Sequence, residues 1–191
     1  MAEKIDGKTA NEWFQMGNEF GKFGEFQRAI ECYENVINLE PHNIKAFNNM
    51  GIAYAILGDQ FKAIDCFLKV VHADPEDKHA WNNLGVAFST IGESVKAIEY
   101  FEKVLDIDPK YKDAWYNMGS NYFKQNNYKK ALECFQKVVQ IDIQDIDGWY
   151  NLGNTYYELK EHSDAIRCMN QVLKLDPNNE KAKKFMDELK I

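Results

Sequence analysis

No stretch of this chain approaches the ~18 consecutive apolar residues that a bilayer crossing needs, so membrane insertion is not expected. An excess of positive charge is missing too: 23 Lys and Arg stand against 30 Asp and Glu, a net charge of −7. Nucleic acid and anionic lipid surfaces both call for a cationic face, and neither is an expected partner. The opening residues, MAEKIDGKTANEW, hold no apolar core of a secretory signal, and a cytoplasmic location is expected. No CxxC or HExxH occurs, and His42, His72, His79 and His162 are scattered. Neither a metal nor a cofactor is expected. Gly17-Asn18-Glu19-Phe20-Gly21-Lys22 falls short of a phosphate loop: three residues separate the glycines instead of four, and Phe23 follows the lysine. Proline is scarce, with four in all, and the intervals Pro41 to Pro75 and Pro75 to Pro109 are both 34 residues.

That interval governs the whole chain. In residues 78–111 the marked positions are Trp81, Leu84, Gly85, Phe88, Ala97, Phe101, Val104 and Pro109. One period earlier they read Phe47, Met50, Gly51, Tyr54, Ala63, Phe67, Val70 and Pro75. Trp13, Met16, Gly17, Phe20, Ala29, Tyr33, Val36 and Pro41 precede those. Later come Trp115, Met118, Gly119, Tyr122, Ala131, Phe135 and Val138, then Trp149, Leu152, Gly153, Tyr156, Ala165, Met169, Val172 and Pro177. Spacings of three and four put each set on one stripe of a helix. A period of this length marks an array whose units bury their apolar faces only against each other.

The pattern resembles the tetratricopeptide repeat family, whose unit is a helix–turn–helix, over residues 10–179. The resemblance implies an all-α, α-α superhelix of five repeats (10–43, 44–77, 78–111, 112–145 and 146–179). A polar lead over 1–9, expected to fray, precedes them, and a capping helix over 180–191 follows. The lysines of that last helix suit a polar outer face, with Ala182, Phe185, Met186 and Leu189 as its narrow apolar side. Thr9 and Glu12 have the form of a capping box, and the first two helices are expected at 10–23 and 26–39.

Gly24, Gly58 and Gly92 are expected to turn the chain between paired helices, with Asn126 and, more weakly, Lys160-Glu161 in the later units. Gly17 and Ala29 are small, so the paired helices can cross closely. The fourth unit has Ile143 in place of the proline and Gly148 in place of an alanine. Its second helix is expected to end less sharply or run on toward Gln144, making 143–148 the softest junction. Cys32, Cys66, Cys134 and Cys168 share one repeat position. Equivalent positions on packed helices lie roughly 8–10 Å apart, beyond the ~7 Å limit for bridged Cα atoms, so reduced, buried thiols are expected.

No enzymatic constellation emerges. The family resemblance instead implies a concave surface, lined by the first helix of each unit, that binds a peptide segment of a partner protein. The sixth position of those helices reads Gln15, Asn49, Asn83, Asn117 and Asn151. An asparagine inside a helix costs roughly 0.6 kcal/mol relative to alanine, so four together ask for a compensating role. Each amide offers a donor and an acceptor, and a column of them resembles the asparagine ladders of peptide-binding members. The alternative is that duplication copied a harmless solvated side chain. Asn18 and Asn154 flank the column, with Lys45 and His79 beside it. Tyr116, Phe123, Tyr150 and Tyr157 make the later half aromatic, as either a sticky contact surface or packing between successive helices.

Members that grip the C-terminal carboxylate of chaperones use a Lys/Asn pair, an Asn, and a Lys/Arg pair on three successive helices. Asn18 and Asn49 match, but Phe14, His79 and Asn83 stand where the cations belong, so charge clamping is not expected. The reading is a non-enzymatic scaffold. Its alternatives are a self-assembling module forming homo-oligomers and an adaptor subunit of an enzyme complex.

Overall fold

The computed structural model describes residues 3–188. Among them are eleven helices: α1 Ala10–Lys22, α2 Phe26–Leu39, α3 Ile44–Ile56, α4 Gln60–Ala73, α5 Lys78–Thr90, α6 Ser94–Ile107, α7 Lys112–Lys124, α8 Tyr128–Ile141, α9 Ile146–Glu158, α10 His162–Leu175 and α11 Glu180–Glu188. The fold is all-α, and neighbouring helices pair as hairpins. The chain divides into two compact units, Met1–Lys103 and Val104–Ile191, with the division inside α6. No helix among the described residues is long and apolar enough to cross a membrane.

Side-chain caps set where the helices begin. Thr9 and Glu12 complete the capping box of α1, and Asn43, Asp77, Asp145 and Asn179 each accept a backbone N–H in the first turn of the helix that follows. Such caps satisfy donors that have no partner within the helix. Helix α1 stops one residue before the expected end, with Phe23 as its cap, whereas α2 spans the expected residues.

In the N-terminal unit, Ala29, Tyr33, Val36, Ala63, Phe67, Val70, Leu84 and Phe101 are buried along the repeat stripe. In the C-terminal unit Ala131, Phe135, Val138, Ala165, Met169 and Val172 do the same. Ala182 of α11 is buried against Met169 and Val172, with Phe185 and Met186 partly covered beside it. Leu189, expected on the same face, lies outside the described residues. All four cysteines are buried and unbridged.

Two expectations are corrected. The lead, expected to fray, is tied down at Ile5 and Lys8. Ile5 and Lys8 form a bridge, the Ile5 carbonyl accepts the Trp13 indole N–H at 3.1 Å, and the Lys8 ammonium lies 4.7 Å from the Trp13 ring. This arrangement serves Trp13 as the proline carbonyls serve later tryptophans, since Trp81 donates to Pro75 O at 2.8 Å and Trp115 to Pro109 O at 2.9 Å.

Nor does α8 run on. It ends at Ile141, and Asp142 caps it in the extended conformation that Asp74 and Asp176 adopt after α4 and α10. The Asp142 carboxylate accepts the Gln144 N–H at 3.0 Å, and the Ile143 carbonyl takes the Trp149 indole at 2.9 Å. The carbonyl at this position makes the bond, and the proline ring is dispensable. Lys112 fastens the same junction, reaching Asp142 at 2.8 Å and Asp145 at 2.6 Å. Bonds to Asp142 and then Asp145 hold its ammonium above the ordinary lysine range, while the Lys112 bond draws Asp142 below the usual carboxylate range. Gly148 fits because a Cβ there would stand 2.7 Å from Val138 Cγ1.

The hairpin turns use the left-handed region. Gly24, Gly58 and Gly92 hold positive φ, and Asn126 (φ 58°) and Lys160 (φ 67°) take their place in the later units. A side chain in that conformation costs roughly 1–2 kcal/mol, and glycine relieves it at some cost in unfolded-chain entropy. Lys160→Gly is therefore expected to raise the melting temperature by about 2–4 °C, the shift for ~1 kcal/mol in a chain of this size. A thermal melt followed by circular dichroism checks this, and a lowered midpoint contradicts it.

Candidate functional site

In the N-terminal unit three side chains converge between the first hairpin and α3. Tyr33 Oη donates to Asn18 Oδ1 at 2.8 Å, and Asn49 Nδ2 donates to the same oxygen at 2.9 Å. Asn48 Nδ2 donates in turn to Asn49 Oδ1 at 3.3 Å. Burial raises the Tyr33 phenol above its ordinary value. Asn18, Tyr33 and Asn49, with Phe26 and Ile52, line a cavity of about 440 Å³. On the other side of α3, Ile52, Ala55, Ile56, Asn83 and Val86 line a second cavity of about 300 Å³. Ile52 borders both, so an apolar rib divides two recesses, each with an asparagine in its wall.

Sequence reasoning assigned no role to the Tyr33 hydroxyl. The signal was present, for the positions equivalent to Tyr33 hold Phe67, Phe101, Phe135 and Met169, and Tyr33 alone carries a hydroxyl.

In the C-terminal unit, Asn151 Nδ2 donates to Tyr116 Oη at 3.0 Å and to the Asp147 carbonyl at 2.9 Å. Its Oδ1 takes no bond among the described residues. Burial, followed by the Asp147 charge, raises the Tyr116 phenol. Among the described residues the half-buried side chains of Asn83, Asn117 and Asn154 have no hydrogen-bond partner. The asparagines thus fall into two sets. Asn18, Asn49 and Asn151 are wholly or partly tied to their own chain, whereas Asn83 and Asn117 keep both donor and acceptor.

The aromatic residues are each engaged locally. Tyr116 meets the Phe135 ring edge-on at 5.9 Å, and Phe123 meets Tyr128 at 5.2 Å. Tyr157 packs on Phe185 of α11 at 5.4 Å and on His162 at 5.4 Å. Lys181 approaches the Tyr150 ring at 6.0 Å. Tyr157 still leaves 38% of its surface open. Lys45 and His79 are exposed at the starts of α3 and α5. Among the described residues no three His, Cys, Asp or Glu side chains gather as metal ligands would.

Comparison with known proteins agrees with this architecture. A family model described as TPR repeat matches residues 17–58 and 119–160. Three models described as tetratricopeptide repeat match 79–111 and 146–179, 100–133, and 44–77. Together they run from 17 to 179 and leave out only residue 78. No curated protein matches the sequence.

Among solved structures, MamA from Desulfovibrio magneticus RS-1 superposes with a TM-score of 0.84 at 24% identity, over 90% of this chain and 97% of its own. YrrB, described as a TPR protein with an unusual peptide-binding site, gives 0.79 at 20% identity over 95% and 94%. A tetratricopeptide repeat protein from Parabacteroides merdae ATCC 43184 gives 0.83 at 17% identity over 92% and 70%. At these identities the likeness is one of fold.

Proposed function

This chain belongs to the tetratricopeptide repeat family, and from that premise we propose that it is a non-enzymatic scaffold whose first-helix faces hold an extended segment of a partner protein. The observations that carry the reading are Asn83 in the N-terminal unit and Asn117 in the C-terminal unit, each taken by itself. Each is half-buried on the first helix of its hairpin, and each keeps its whole amide for a ligand. An extended peptide presents one N–H and one C=O per residue. A side-chain amide matches both at once.

Asn151 adds an acceptor through its unoccupied Oδ1, and Asn154 adds a further amide. In the N-terminal unit Asn18 and Asn49, with Tyr33, shape a recess for an apolar side chain, and the exposed Lys45 and His79, at the starts of α3 and α5, would add polar contacts. In the C-terminal unit the open edges of Tyr116, Phe123, Tyr150 and Tyr157 supply apolar contact. Unbridged thiols suit the reducing cytoplasm in which the scaffold would work.

Panning a phage-displayed library of random 12-residue peptides against the full chain supplies the ligands for a test. Calorimetry on the selected peptides is expected to show that Asn83→Ala with Asn117→Ala weakens binding tenfold or more. That corresponds to losing two to four bonds of about 0.5–1.5 kcal/mol each. The melting temperature should hold or rise slightly, since alanine is the better helix former. Unchanged affinity in the double variant refutes the reading.

A further inference from the structure

The turns of the N-terminal unit carry a second surface. Phe23 is 80% exposed, Phe61 72%, Val95 65%, Ile56 55% and Leu57 49%. They sit where α1 passes to α2, α3 to α4 and α5 to α6, along one edge of the successive hairpins. The equivalent positions of the C-terminal unit are polar for the most part: Lys124 and Glu158 for Ile56, Gln125 and Leu159 for Leu57, Lys129 and Ser163 for Phe61. Repetition alone does not produce this difference, and nothing in the buried core requires it, because these side chains point to solvent.

Area and charge indicate the occupant. Taking roughly 150–200 Å² for a whole side chain of this kind, the exposed fractions leave about 550 Å² of apolar surface. A standard interface uses about 800 Å² from each partner, of which roughly 450–500 Å² is apolar. The edge therefore matches one half of such an interface.

A net charge of −7 repels another copy over most of the surface, but here each acid has its own cation. Arg28 pairs with Glu25 at 2.5 Å, Lys62 with Asp59 at 3.0 Å and Lys96 with Glu93 at 3.6 Å. The same three cations are drawn back over Phe20, Tyr54 and Phe88, at 3.9, 5.1 and 5.5 Å from the ring centres. An apolar strip between self-neutralised ion pairs offers little to a strongly charged partner. It can face its own image across a two-fold axis without setting like charges together.

We infer that this edge is a self-association surface, through which a second copy of the chain packs turn edge against turn edge to form a dimer. Phe23, Leu57, Phe61 and Val95 line neither asparagine-bearing recess of this unit, and Ile56 alone also borders the one that holds Asn83.

Sedimentation equilibrium of the full chain between about 1 and 100 µM tests this. The mass is expected to rise with concentration from one chain to two. Phe61→Lys with Val95→Lys should weaken association at least tenfold while the far-ultraviolet circular dichroism stays that of the parent. Leu159→Lys, on the C-terminal unit, should leave the dimer intact. A parent that remains a monomer throughout overturns the inference. A double variant that dimerises as well as the parent overturns it too.

Discussion

Gly85→Leu is expected to unfold the N-terminal unit around α5 and to lower the melting temperature by about 6–12 °C, the shift for roughly 3 kcal/mol in a chain of this length. A Cβ on Gly85 would stand 2.5 Å from Phe101 Cε1 and 2.8 Å from Cδ1. Phe101 is wholly buried and has nowhere to retreat. Overpacking of this kind costs about 1–3 kcal/mol and more where the site cannot yield, against the ~1 kcal/mol that replacing a helical glycine ordinarily gains. Gly119 is a graded comparison, since its Cβ would meet Cys134 Cβ and Phe135 Cε1 at 3.0 Å. Gly119→Ala should therefore be close to neutral, while Gly85→Ala should be destabilising. Urea melts of the three variants measure the order. A Gly85→Leu protein with the parent's midpoint and helicity would contradict the close crossing of α5 and α6.

The second large effect is an alkaline loss of stability. Burial pushes the Cys134 thiol up to about 12 and the Cys66 and Cys168 thiols up to about 11, and it moves Cys32 in the same direction. In the unfolded chain each ionises near 8.5. Folded-state values above unfolded ones mean that the unfolded chain releases its protons first. The contribution is intact below pH ~8.5 and is lost as pH rises toward the folded values. Each thiol adds a slope of up to about 1.4 kcal/mol per pH unit within that window, and the four act together. Burial also raises the phenols of Tyr33, Tyr54 and Tyr116, which deepens the loss at higher pH. Unfolding free energies from urea melts should stay level from pH 7 to 8.5 and then fall by several kcal/mol by pH 10.5. The quadruple Cys→Ala variant should fall less steeply. A parent curve that is flat to pH 10.5 would contradict the burial of the thiols in a cooperatively folded core.

Much of this architecture was legible in the sequence because the 34-residue period ties each residue to equivalents in other units. Val36, Val70, Val104, Val138 and Val172 are all fully buried, as one repeat position requires. The errors arose where one unit departs from the pattern. Ile143 replaces proline, yet the helix ends as the others do, because the needed feature is a carbonyl for Trp149 and a carboxylate at Asp142. The lead before α1 lies outside any repeat, and its pairing of Ile5 with Trp13 follows from a local turn with no periodic counterpart.

The candidate site was legible only in part. The period placed the asparagines on equivalent turns, but it could not say which amides their own neighbours would occupy. Asn49 and Asn151 are met by Asn18 and Tyr116, partners that the repeat does not supply at Asn83 or Asn117. The aromatic cluster of the C-terminal unit was harder to read, because Tyr157 meets α11, which follows the last repeat.

Nuclear magnetic resonance of the side-chain amides tests the peptide-holding claim most directly. A selected peptide would be titrated into nitrogen-15-labelled protein with the Asn83 and Asn117 NH₂ signals assigned. A peptide on the N-terminal unit should shift the Asn83 pair and one on the C-terminal unit the Asn117 pair, with added protection from solvent exchange, while the Asn49 and Asn18 signals move less because their bonds are already made. If the Asn83 and Asn117 amides stay in place while signals from the second helices, such as those around Leu68 and Lys69, move instead, the peptide lies on another face and the account is wrong.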